Sequence, residues 1–231
     1  DGHGSERYAE QLVRLDTLGA FYFSNESGQY LPQKTREAYA AEVGLPSSGH
    51  IYAIPQHCLK FHPLFDEALV KILALDRDAI LVVKNCSTSI RVEERLSTKI
   101  DVSGRIVRVP QLSLQDYVRL FGGSHVALET FPFGGSITSL DAFEGGTPVV
   151  SMKQFRARPA LTVALYDIMN VSCCVASDID DYVRTAVRIA SDPSLRSSIR
   201  SSLDAARFRL YESMDAVLEI EAFFSRSLKL L

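Results

Sequence analysis

Short apolar runs alternate along this chain with longer stretches in which apolar residues return every third or fourth position, and that alternation predicts the elements. Residues 51–55 read as a strand and 63–75 as a helix with proline in its first turn. A strand at 80–83, a helix at 90–99, a strand at 105–109 and a helix at 113–121 capped by Ser113 follow. The pattern continues with a strand at 125–128, a helix opening near Ser136, and a strand at 147–152. Beyond it come a helix at 158–169, a strand at 173–176, and a helix at 178–191 with an acidic first turn. Strands that alternate with helices in this way form a Rossmann-like α/β domain, a parallel sheet with helices on both faces.

The flanks differ. Residues 1–32, with Tyr8, Leu12, Val13, Leu15 and the run Phe21-Tyr22-Phe23, read as an extended lead-in with a loop at 24–28. A short helix at 33–43 closed by Gly44 and a loop at 45–50 complete the predicted division 1–50, followed by the domain at 51–192. Division 193–231 is a helical C-terminal extension, with helices at 194–209 and 213–230. Val217, Leu218, Phe224 and Leu228 give the last helix an apolar face that needs cover.

The stretch HVALETFPFGGSITSLDAFEGGTPVVSM, residues 125–152, carries the candidate chemistry. Ser136 stands where a helix cap belongs; Ile137, Leu140, Ala142 and Phe143 recur at helical spacing, and Gly145-Gly146 ends the helix. Gly134-Gly135 before a helix N-terminus makes an anion site, because glycines admit a ligand to the backbone where free N–H groups and the positive dipole end face it. A diphosphate fits there. Asp141, one and a half turns further on, is placed to accept hydrogen bonds from ribose hydroxyls. The same residues also read as an ordinary surface turn with a solvated Asp141.

Composition narrows the classes. With 231 residues, 46% hydrophobic and 23% charged, the chain can bury a proper core. A net charge of −3 with scattered Lys and Arg offers no basic field, so nucleic acid is not an expected partner. No apolar run approaches the roughly 20 residues of a membrane span, and no signal pattern opens the chain, so no membrane association is expected. Cys58, Cys86, Cys173 and Cys174 lack paired spacing and the five histidines form no ligand grid, so no metal is expected. Cys173-Cys174 inside an apolar strand reads as buried thiol in a reducing compartment, cytoplasm or nucleus. Asp76-Arg77-Asp78 spells a D-x-D motif, but in a helix-to-strand turn, where Asp is common without a metal. His125, at the N-terminal edge of its strand, reads as a packing or solvent histidine.

The run ETFPFGGSITSLDAF followed by GGTPVVSM resembles the nucleotide-sugar segment of the O-GlcNAc transferase and SPINDLY family, spelled D-T-F-P-Y-x-G-x-T-T-T-x-E/D-x-L and then G-x-P-V-V-T-M. IYAIPQHCLKFHPLFDEALVKILALDRDAILVV is similar to that family's strand, Q/N-x-x-K-I-x-P, helix and strand, in the right order and distance. The resemblance covers the chain from about Tyr8 onward and implies the C-terminal, donor-binding lobe of a GT-B glycosyltransferase. Gln56, His57 and Lys60 lie just past the first strand, where parallel sheets collect ligand groups. By resemblance Lys60 is the lysine that meets the donor diphosphate and stabilises the leaving charge. Gln56, His57, Leu112, Gly134, Gly135, Ser136, Ile137, Thr138 and Asp141 are the expected donor-contacting positions.

The chain departs from the pattern where Leu114, Tyr117 and Leu120 replace cationic family residues, and where Ser136-Ile137 replace His-Thr or Thr-Thr. The resemblance implies an inverting transfer of N-acetylglucosamine from UDP-GlcNAc to Ser or Thr of acceptor proteins, with no metal and no other cofactor. GDP-fucose is the alternative donor. The lead-in is similar to the family's interlobe linker, so an N-terminal catalytic lobe and tetratricopeptide repeats are expected partners and the isolated chain is expected to be inactive. A non-catalytic nucleotide-binding or scaffold module is the competing reading. An unrelated nucleotide-binding enzyme such as an epimerase fits the glycine turn but not the second motif.

Overall fold

The central apolar runs are strands covered on both faces, which is why they are continuous rather than alternating. In β1 (His50–Ile54), residues Ile51, Tyr52, Ala53 and Ile54 are at most 1% exposed, and all three residues of β4 (Val126–Leu128) are fully buried. The computed structural model describes residues 9, 13, 15–23, 34–54, 56–86, 89–153 and 161–228. The predicted loop at 24–28, most of the lead-in and the start of the predicted helix at 158–169 lie outside them.

Six strands pair in parallel in the order β3-β2-β1-β4-β5-β6, with β2 at Ala79–Lys84, β3 at Ile106–Val109, β5 at Val149–Met152 and β6 at Val175–Ala176. Ile51 stands beside Ile80, and Tyr52 is flanked by Leu81 and Val126. Helices cover both faces. α2 (Pro63–Leu75) packs with α3 (Ser89–Ser97) and α7 (Ile179–Ser191); α1 (Arg36–Glu42) packs with α4 (Leu114–Gly122), and α4 with α5 (Ile137–Glu144). α6 (Leu161–Met169) lies against β5, and α8 (Pro193–Ala206) against α7. Polar caps set the starts: Thr35, Ser113, Asp178 and Asp192 each accept a backbone N–H from the helix they precede.

Residues Gln29–Phe208 form one compact unit, which holds the sheet; Asp1–Gly28 with Arg209–Leu231 form a second. In the second, Glu219 on α9 (Met214–Leu228) accepts the N–H of Asp16 at 2.6 Å and the N–H and hydroxyl of Thr17 at 3.0 and 2.6 Å. Those bonds hold its carboxyl below the usual range. Among the described residues no helix is long and apolar enough to cross a membrane.

Two local readings are corrected. β5 starts at Val149 rather than 147, because the Thr147 N–H closes α5 on the Ala142 carbonyl and its hydroxyl donates to Phe121 O. Cys173-Cys174 lies in the turn before β6, not within a strand. Cys174 is buried but Cys173 is exposed, and hydrogen bonding to its neighbour brings the Cys173 thiol down to about 7.

Candidate functional site

Strand order reverses between β1 and β4, so the loops leaving their C-terminal ends part in opposite directions and open a crevice. One loop carries Gln56 and a 3₁₀ turn, Cys58–Lys60; the other runs from Glu129 to Ser136, with a cis peptide at Phe131-Pro132. A chain of edge-to-face aromatic contacts seats both. Phe61, next to Lys60, meets Phe65 of α2 at 5.1 Å; Phe65 meets Phe131 at 5.3 Å, and Phe131 meets Tyr182 of α7 at 5.2 Å.

Lys60 is thereby brought over the glycine turn. Its Nζ donates to the Gly134 carbonyl at 2.9 Å and lies 4.5 Å from the centre of the Phe133 ring. Burial lowers its pKa, and the Glu129 charge opposes that shift. Lys60, residues 132–136 and Leu161 line a cleft of about 250 Å³.

Glu129 was missed by sequence reasoning and organises the turn. It is 4% exposed; one carboxylate oxygen accepts the Gly135 N–H at 2.7 Å and the Thr162 hydroxyl at 2.5 Å, and the other accepts the Ser151 hydroxyl. With the Thr162 proton spent on Glu129, Ser139, 2.7 Å from Thr162, is the donor of that pair. Burial pushes the Glu129 carboxyl up, and its three donors and Lys60 pull it back. A carboxylate ending a wholly apolar strand at the ligand edge of the sheet was the available signal.

Gly134 and Gly135 do not take positive φ; what a Cβ would meet at each is the end of a neighbouring side chain, buried and engaged at Gly134 and free to give way at Gly135. A Cβ on Gly134 would come 2.8 Å from the Glu129 carboxylate. One on Gly135 would come 2.7 Å from Ser139 Oγ, 2.9 Å from Gln56 Nε2 and 3.2 Å from Thr138 Oγ1. Gln56 is buried beside the turn, with Nε2 3.4 Å from Thr138 Oγ1 and Oε1 without a hydrogen-bond partner.

Ser136 makes no cap bond, a correction to the sequence reading. Its φ of −153° and ψ of −103° lie outside the extended conformation that turns a cap hydroxyl onto the first-turn amides, so the N-terminus of α5 has no side-chain cap. Ile137 follows it, 61% exposed. Asp141 is buried at 8% exposure, not solvated; desolvation, with Glu144 nearby, pushes its pKa up to about 7.

The crevice therefore unites Gln56, Lys60, Gly134, Gly135, Ser136 and Thr138. His57 is exposed and caps the 3₁₀ turn, its Nδ1 accepting the Leu59 N–H at 3.2 Å. Leu112 packs half-buried against the cluster that includes Leu45, Ile51 and Leu120, away from the cleft lining. Of the D-x-D pair, Asp76 is buried, accepting from Tyr52 Oη at 2.7 Å and paired with His50, while Asp78 is exposed.

Sheet order, helices on both faces and crevice define the Rossmann-like C-terminal lobe of the GT-B glycosyltransferase fold. The solved structures that share it include a point mutant of the O-GlcNAc transferase of Thermobaculum terrenum, with a TM-score of 0.71 and 20% identity over 77% of this chain and 36% of that one. Sucrose-phosphate synthase from Thermosynechococcus elongatus aligns with a TM-score of 0.61 and 15% identity over 91% of this chain and 50% of that one. A mutant of S. aureus TarM, solved with fondaparinux, α-GlcNAc-glycerol and UDP, gives 0.56 and 11% over 77% and 35%. The chain thus spans a third to a half of the length of these proteins. No protein-family model matches the sequence, and no curated protein does.

Proposed function

We propose that this chain is the donor-binding lobe of an inverting protein O-glycosyltransferase that takes N-acetylglucosamine from UDP-GlcNAc to Ser or Thr hydroxyls. The observation that carries the reading is the meeting of the Lys60 ammonium with the uncapped N-terminus of α5 across Gly134, at the switch point of a parallel sheet. Two positive features aimed at one glycine turn suit a diphosphate. As the sugar leaves, charge grows on the leaving phosphate oxygen, and Lys60, exchanging the Gly134 carbonyl for that oxygen, stabilises the transition state more than the ground state. Asp141 takes the ribose hydroxyls, whose donated hydrogen bonds favour its ionised form. Gln56 Oε1 is an unspent acceptor beside the same turn.

Calorimetric titration with UDP and GDP in parallel tests this. Binding of UDP that Lys60→Ala weakens about tenfold, the scale of one charge-assisted bond, is expected. Preference for GDP selects the GDP-fucose donor, and binding of neither overturns the reading. A second reading, a nucleotide-binding module without turnover, is favoured by Ile137, which puts an exposed aliphatic side chain at the first turn of α5 where family members carry a hydroxyl.

A further inference from the structure

At the opposite ends of β4 and β5 lies a second cleft, of about 180 Å³, lined by Arg36 of α1, Arg196, Ser197 and Arg200 of α8, and Ser124 and His125 before β4. No carboxylate is among its described lining residues. The larger cleft beside it, of about 600 Å³, shares Ser197 and Arg200 but includes Glu144 and Asp204, which balance its cations.

We propose that this carboxylate-free cleft binds a phosphoryl group, free or carried by a small soluble molecule. Three guanidinium groups from two helices converge on it with most of their donors unspent. Arg36 reaches Gly123 O at 3.4 Å and the exposed Glu37 at 3.1 Å; Arg200 reaches Gly145 O at 3.5 Å. Arg196 alone has close backbone partners, holding the Ile189 and Ala190 carbonyls of α7 at 3.0 and 2.9 Å through one nitrogen. A guanidinium carries five N–H donors in a planar fork, so each group retains some for a ligand. Such forks match the oxygens of a tetrahedral oxyanion.

Of the remaining lining residues, His125 brings a further ring N–H. His125 Nδ1 accepts the Ile51 N–H at 2.9 Å, so its other ring nitrogen carries the hydrogen. Burial, with the neighbouring Arg36, Arg196 and His50, pushes that imidazole down to about 3 against the opposing charge of Glu37. Gly146 seats the Arg200 side chain: at φ +69° it ends α5, and a Cβ on it would come 2.9 Å from Arg200 Nε. The cleft of about 180 Å³ equals about six water volumes of roughly 30 Å³, room for one phosphoryl group with part of its hydration.

The test is a ¹⁵N–¹H NMR titration of the chain at constant ionic strength with inorganic phosphate in one arm and methyl phosphate in the other. Saturable shifts of the Ser124, Gly146 and Ser197 amides are expected, weakened about tenfold or more by Arg200→Gln and by Ser197→Asp. Ser197 is exposed, so its aspartate puts a carboxylate into the cleft without disturbing the core. Phosphate-only binding assigns the free ion, and equal binding of both assigns a phosphomonoester. Absence of shifts at millimolar ligand, shifts confined to Gly134, Gly135 and Thr138, or variants that titrate like the unmodified chain would each overturn the proposal.

Discussion

Asp141 shows at the residue scale what a buried carboxylate on α5 costs the fold. A carboxylate whose pKa stands at about 7 against an ordinary 3.8 holds, between those values, a proton that the unfolded chain has released. Its contribution to stability therefore falls as pH rises through that window, and the loss is complete above it. Asp141→Asn removes the charge, so the variant should be more stable than the unmodified chain at pH 8, by about 4 kcal/mol at most, and no more stable at pH 4. Denaturant melts at the two pH values check this; a gain of equal size at both would mean that the charge is not the cause. The same substitution should weaken UDP binding by roughly 1–3 kcal/mol, the scale of bonds to a charged acceptor. If Asp141 takes the ribose, a 2′-deoxy nucleotide should lose much less further affinity in the variant than in the unmodified chain. The glycine pair before a helix was legible from short-range chemistry, whereas Lys60 was singled out by the family resemblance and Asp141 was left between a ribose contact and a solvated residue. The Gln56 orphan oxygen and the depth of Asp141 were not, since both arise from elements distant in sequence closing over them.

At the scale of elements, the crevice is held less by the glycines' freedom than by the Glu129 clamp behind them. Gly134 faces the Glu129 carboxylate and Gly135 faces only the ends of Gln56, Thr138 and Ser139, so the two glycines should respond differently to alanine. Gly134→Ala should lower the melting midpoint, because the buried carboxylate and its three donors must shift. Gly135→Ala should leave the midpoint nearly unchanged while UDP affinity falls, since flexible side chains give way into the ligand's space. Paired calorimetry and melting curves decide it, and a Gly135→Ala chain that binds UDP unchanged would move the diphosphate elsewhere. The parallel alternation of strands and helices, the cap at Ser113 and the helix after Asp178 followed from local pattern, because strands buried on both faces and acidic first turns leave plain signatures. The cap at Ser136 did not, because the backbone there is set by Gly135 N–H reaching back to Glu129 and not by the preference of serine. Cys173 was misread for a similar reason: its apolar neighbours belong to a turn whose Cys174 carbonyl accepts the Ser151 N–H of the neighbouring strand β5.

Across the whole molecule, the crevice separates recognition from chemistry. The described residues lining it are Lys60, the run 132–136 and Leu161, which offer an ammonium, ring faces, backbone and one hydroxyl. None is a carboxylate or imidazole able to take a proton from an acceptor hydroxyl, and Glu129 lies behind the turn with its lone pairs engaged by Gly135, Thr162 and Ser151. Inverting transfer needs donor carbon, acceptor hydroxyl and a proton-accepting group held together within about 3–3.5 Å, and the described lining of the cleft supplies no such proton acceptor. These 231 residues alone are therefore expected to bind UDP and to transfer no sugar to protein. In a protein that adds an acceptor lobe, Lys60→Ala should lower kcat by about 10²–10³ while changing donor affinity far less, because leaving-group charge is greatest in the transition state. A radiolabelled sugar-transfer assay on the isolated chain, run beside UDP calorimetry, is the direct measurement. Robust labelling of an acceptor protein by this chain would show that the proton acceptor lies within it and would overturn the division between donor and acceptor lobes.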